Sequence, residues 1–64
     1  MKQQQWRNLT WAELPDGSYW FSNRRMTVSV DVDADKIITD AAPIARKFVG
    51  QPLRNLAIWM GQMK

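Results

Sequence analysis

Asp31, Asp33 and Asp35 stand at alternate positions in VDVDADK, a spacing with which a loop can present carboxylates to a hard cation. Such a loop also needs a glycine at its sharp turn and a distal bidentate glutamate. Neither follows, so the run reads as two acids on a strand's polar side and a third in a turn. No metal or cofactor is expected. Glu13 is the single glutamate, and histidine and cysteine are absent. The usual general bases, thiolate nucleophiles and soft metal ligands are therefore missing, as is a glycine-rich phosphate cradle. The chain reads as a non-enzyme.

The chemistry that remains is recognition, and two groups of residues could carry it. Trp6, Trp11 and Trp20 with Arg24 and Arg25 combine rings on which bases stack with cations that pair with phosphates, the makings of a single-stranded nucleic-acid face. The same rings could instead fill the inner face of a sheet and pair across strands. The second group is Arg54, Ile58 and Trp59 near the C-terminal end, where tryptophan and arginine are favoured interface anchors. Trp59 has an alternative too, folding over the edge of its helix against the sheet.

The elements that position these residues follow from pattern. Met26, Val28, Val30 and Val32 alternate with Thr27, Ser29 and Asp31, the period of a half-buried strand. A loop at DADK sets Asp33 against Ile37, Val32 against Ile38 and Val30 against Asp40, and asks Lys36 for a left-handed backbone that glycine would adopt more cheaply. Pro15-Asp16-Gly17 is a turn into the aromatic strand Tyr19–Ser22, and SNRR reverses that strand into Met26. Leu9, Trp11 and Glu13 alternate as a strand, although Thr10 and Glu13 also have the spacing of a helix capping box. Pro43 opens a helix with Ile44, Ala45, Phe48 and Val49 on one side and Arg46 and Lys47 opposite, and Gly50 closes it. Pro52 opens a second, with Leu53, Leu56, Ala57 and Met60 as its apolar stripe, Arg54 and Ile58 outward and Gly61 at its end. The expected fold is α+β: a small antiparallel meander of three to four strands, then two short α-helices packed on one sheet face.

Sixty-four residues make a single domain, 1–64, with 1–5 expected to fray at the Gln3-Gln4-Gln5 tract. A chain this short buries only about 60% of its unfolded surface and has no disulfide to help. Its seven aromatic residues, four of them tryptophan, must close a small core, serve a partner or do both, and self-association would serve either end. No apolar run reaches membrane-span length and the N-terminus lacks a signal-peptide core, so a cytoplasmic protein with no membrane partner is expected. The net charge of +3 leaves nucleic acid or an acidic protein face as partners.

From Tyr19 to about Met60 the chain resembles a group of very small proteins common in phages and other mobile elements. The shared pattern is an aromatic strand, a valine-rich hairpin, a stretch like Asp40-Ala41-Ala42-Pro43-Ile44, a short basic-apolar helix, Gly50 and one more helix. In that group the hairpin turn carries a glycine where this chain has Lys36. The resemblance implies a source and a shape rather than a reaction. A mobile-element source favours a small protein that binds a host protein, such as a defence or regulatory component, and blocks it.

Overall fold

Three of the reversals begin with an Asp or Asn whose side chain accepts the backbone N–H two residues on. Asp16 takes that of Ser18 at 2.9 Å, Asn23 that of Arg25 at 2.8 Å and Asp33 that of Asp35 at 2.9 Å. Short acceptors of this kind mimic a backbone turn and leave few other conformations open. Gly17 (φ 90°) and Lys36 (φ 63°) supply the left-handed residues that two of these turns require. The Ser18 hydroxyl at 2.6 Å and its N–H hold the Asp16 carboxyl below its ordinary range. That support is present above the usual carboxylate pKa and fades as pH falls through the lowered one.

The computed structural model describes residues 3–63. Between the turns run β1 (Gln3–Trp6), β2 (Leu9–Glu13), β3 (Tyr19–Ser22), β4 (Thr27–Val32) and β5 (Ile38–Ala41), an antiparallel meander in chain order. A 3-10 helix (Pro43–Phe48) and α1 (Leu53–Gln62) follow. The class is α+β as expected, but the sheet has five strands rather than three to four. The additional strand is the glutamine tract expected to fray; Met1 and Lys2 lie outside the described residues. It pairs because Arg7 (φ 56°) and Asn8 turn the chain tightly enough to set Trp6 opposite Leu9.

Strand alternation sends Leu9, Phe21, Val28, Val30 and Ile38 to one face, where they join Ala45, Phe48, Leu56 and Met60 in a single buried cluster. The thin dimension of 17 Å is one sheet and one helical layer. Between β4 and β5 the register shifts by one residue. Val32 faces Ile38 as expected, but Val30 faces Ala41 instead of Asp40. The uninterrupted ladder would have aimed Asp40 at the valines. The bulge turns the acid outward and brings Ala41 in, where it is 8% exposed, because burying an unpaired carboxylate costs far more than one irregular ladder step.

The first helix is 3-10 rather than α. With three residues per turn, only Ala45 and Phe48 stay on the inner side, and Ile44 (54% exposed) and Val49 (44%) turn outward, against the α-helical expectation. Gly50 (φ 89°) ends it as expected. The chain then runs back along the first part of β5. Gly50 N–H donates to the Ile38 carbonyl (2.8 Å), Ile38 N–H to Gln51 (2.9 Å) and Leu53 N–H to Lys36 (2.9 Å). These bonds fix where α1 begins.

At the other end of α1 the sheet supplies the cap. The Asn23 amide donates to the Met60 carbonyl at 2.9 Å and the Asn8 amide to the Met63 carbonyl at 3.1 Å. Both come from turns at the same end of the meander, and they satisfy carbonyls that a helix end leaves open. Gly61 was expected to stop this helix. Instead it lies within it, and a methyl group there would collide with the Trp6 ring. The glycine is a seat for Trp6, which binds the edge strand to the helix.

Two stability measurements check this joint. Gly61→Ala should destabilise by about 1–2 kcal/mol, overpacking outweighing the better helix propensity. In a Trp6→Ala background the same change should be neutral or stabilising, a coupling that a urea double-mutant cycle reads directly. Asn23→Asp keeps the turn acceptors but removes the donor to Met60 and sets a charge against the negative helix end. It should cost about 1–2 kcal/mol at neutral pH, again by urea melts.

Candidate functional site

Of the residues singled out for a protein interface, Arg54 and Ile58 are four apart on the outer side of α1 and both are exposed, Ile58 at 44%. Trp59 is half-buried and packs on Phe48, ring centroids 5.2 Å apart. It thus joins α1 to the 3-10 helix, the alternative foreseen for it, although the contact is with Phe48 rather than the sheet. Lys47 lies over both rings, 4.3 Å from the Trp59 centroid and 5.5 Å from that of Phe48. A cation on a ring face is an attractive pair, so the joint carries positive charge on its solvent side.

The proposed nucleic-acid face is not assembled. Trp11 pairs with Phe21, and Trp6 sits on Gly61, so both belong to the helix-covered side. Trp20 alternates with Tyr19 and Phe21 and pairs with Ala12 and Ser29, which puts it on the open side of the sheet. Arg24 and Arg25 are at the sheet's end, in the β3–β4 turn. One sheet thickness separates the rings, because residues of opposite parity in a strand face opposite ways. Asp33 spends its carboxylate on its own turn, accepting from Asp35 at 2.9 Å and from Ile37 at 3.0 Å, so the alternating aspartates do not converge.

Charge is distributed by layer. All six acids lie in the first forty residues, against five bases; the remaining twenty-four hold Arg46, Lys47, Arg54 and Lys64 with no acid. Among the described residues the helical layer holds Arg46, Lys47 and Arg54 and no acid, while Asp31 and Asp40 face each other across the β4–β5 ladder. The same layer exposes the aliphatics Ile44, Val49 and Ile58.

Where α1 begins, a cleft of about 340 Å³ opens between helix and sheet. Trp11, Phe21 and Tyr19 form its floor, their rings inclined by only 23° and 24° to their neighbours and spaced 6.5 and 6.3 Å. Leu53 and Ala57 form the helical wall, and Lys36 and Arg54 stand at the rim. The Lys36 ammonium lies 5.2 Å from the Tyr19 ring centroid. The neighbouring Tyr19 hydroxyl, and then Glu13, hold its pKa above the ordinary lysine value. The resulting stabilisation is present below that ordinary value and is lost as pH rises through the raised one. Glu13 itself accepts from the Tyr19 hydroxyl at 3.4 Å.

Reading the sequence found Arg54 and Trp11 but not the cleft that contains them. Its one sequence signal is Lys36, a lysine in a left-handed position where glycine is cheaper. No protein-family model, curated protein or solved structure matches the chain. Among the described residues, no helix is long and apolar enough to cross a membrane.

The strain at Lys36 is directly testable. Lys36→Gly should raise the melting temperature by about 4 °C, because the turn relaxes while the core is untouched. An unchanged or lowered melting temperature would mean that the Lys36–Tyr19 contact outweighs the strain.

Proposed function

We propose that the chain is a non-enzymatic binding module of phage or mobile-element origin that works in the cytoplasm by covering an acidic, partly apolar surface on another protein, a host defence or regulatory component being the partner class its size and source favour. One observation supports this above the others: exposed Ile58, Val49 and Ile44 lie on the same layer as Arg46, Lys47 and Arg54, with no acid among them. Exposed aliphatic side chains on a layer whose charged side chains share one sign are the composition of an interface, with area from the aliphatics and orientation from the cations. Trp59 and Phe48 pack together and join the two helices that carry this surface.

The nucleic-acid alternative has weaker support, since Trp6 and Trp11 lie on the opposite side of the sheet from Trp20 and leave no continuous row of rings for successive bases. The cations of the helical layer could still attract phosphates, so the test includes that outcome.

The experiment is capture from native host lysate with three folded proteins: the parent chain, Arg54→Glu with Ile58→Asp, and Arg24→Ala with Arg25→Ala. The first and third should retain a common partner and the second should lose it. Retention by the second with loss by the third would move the working surface to the sheet end. If the parent chain captures no protein but is held by a single-stranded oligonucleotide at low salt, the nucleic-acid reading replaces this one.

A further inference from the structure

We propose that the cleft between β2–β3 and the first turns of α1 is a receptor for one aromatic side chain flanked by acidic residues in an extended segment of the partner protein. This rests on the protein-binding reading above and names the part of the partner that is recognised.

Size comes first. Clefts for small molecules and cofactors start at about 300 Å³, so one of about 340 Å³ is at the lower limit and suits a single large side chain. The shape selects its type. Each of Trp11 and Tyr19 lies within 24° of parallel to Phe21 between them, and the apolar floor that the row makes accommodates a flat ring in the offset or edge-on contacts that aromatic pairs prefer. Ala57 leaves the opposite wall open where any larger residue would occupy the space.

Charge selects the neighbours. Lys36 arrives from the β4–β5 turn and Arg54 from α1, so the two cations come to the rim from different elements. Two acids are near, but Glu13 and Asp35 do not line this cleft, Asp35 lining the adjoining one, so the charged part of its own lining is the two cations. A segment with a carboxylate on each side of its ring would meet one cation with each, whereas a basic segment would be repelled at both places. The backbone supports a role for Lys36 in particular. Its φ of 63° is held by the turn at a cost that glycine would remove, and no core contact depends on its side chain. Finally, Arg54 belongs both to this rim and to the outward side of α1 with Ile58, so a segment leaving the cleft passes onto the docking layer.

The probe is the blocked tripeptide Asp-Phe-Asp, titrated into isotopically labelled protein and followed by two-dimensional NMR. Saturable shifts should appear at Trp11, Lys36, Leu53 and Ala57, with a dissociation constant of about a millimolar, as expected for so few ligand atoms. Lys-Phe-Lys and Asp-Ala-Asp should each bind about tenfold more weakly, and Arg54→Gln should weaken Asp-Phe-Asp severalfold while leaving the spectrum otherwise unchanged. Ala57→Phe should abolish binding by filling the cleft. Unsaturated shifts, equal responses to the acidic and basic peptides, or shifts centred on Trp20 would overturn the assignment. The two readings fail separately. If lysate capture is lost with Ile58→Asp while Asp-Phe-Asp does not bind, the docking layer stands and the cleft does not. Peptide binding without any effect of Ile58→Asp on capture would show the reverse.

Discussion

Everything in this small molecule depends on seating α1 against one face of the sheet. Leu56 and Met60 are fully buried there, in the same cluster as Leu9, Phe21, Val28 and Ile38. Each such side chain removed from water contributes roughly 1.5–3 kcal/mol, a large fraction of what a domain of this size can have in total. A ten-residue helix is marginal alone in water, so the sheet makes the helix as much as the helix covers the sheet. The seat is fixed at both ends. Gly50 to Leu53 bond to β5 and the residues before it at the start, and the Asn8 and Asn23 amides hold the carbonyls at the finish.

That seat also determines what is left for recognition. Because a short chain has only one helical layer to offer, the inner stripe of α1 is consumed by the core and its outer side becomes the main surface that is not sheet. The acids all fall in the strands and turns, and the helical layer has bases without acids. The cleft arises where helix and sheet diverge, above the row of Trp11, Phe21 and Tyr19. It borrows its walls from groups whose first task is structural.

The legible parts of the fold were those governed by local rules. Alternation marked β4, Pro15-Asp16-Gly17 and Asp33 marked reversals, the left-handed residue at Lys36 followed from loop length, and Gly50 followed from helix termination. Rules of that kind act over a few residues and leave a trace in every sequence that obeys them. Four readings were different. The contact of Trp6 in the Gln3–Trp6 strand is with a helix some fifty residues away, and Gly61 looked like a stop signal because its partner ring is equally remote. The bulge within β5 answers to the cost of burying Asp40, which only the finished sheet imposes. The 3-10 geometry of Pro43–Phe48 exposes Ile44 and Val49, and no local signal separates it from one turn more of α-helix.

For the site, sequence alone settled which side chains the chain lacks: without histidine or cysteine, imidazole and thiolate chemistry have no material. It also placed Arg54 and Ile58 on the outer side of α1, since helical spacing is local. What tertiary structure decided is which rings share a surface. Trp11 and Trp20 are nine residues apart and equally aromatic, yet one lines a cleft and the other faces away across the sheet. Their separation comes from strand register and from the side on which α1 packs, and both are set by burial summed over the whole chain rather than by any residue's own preference.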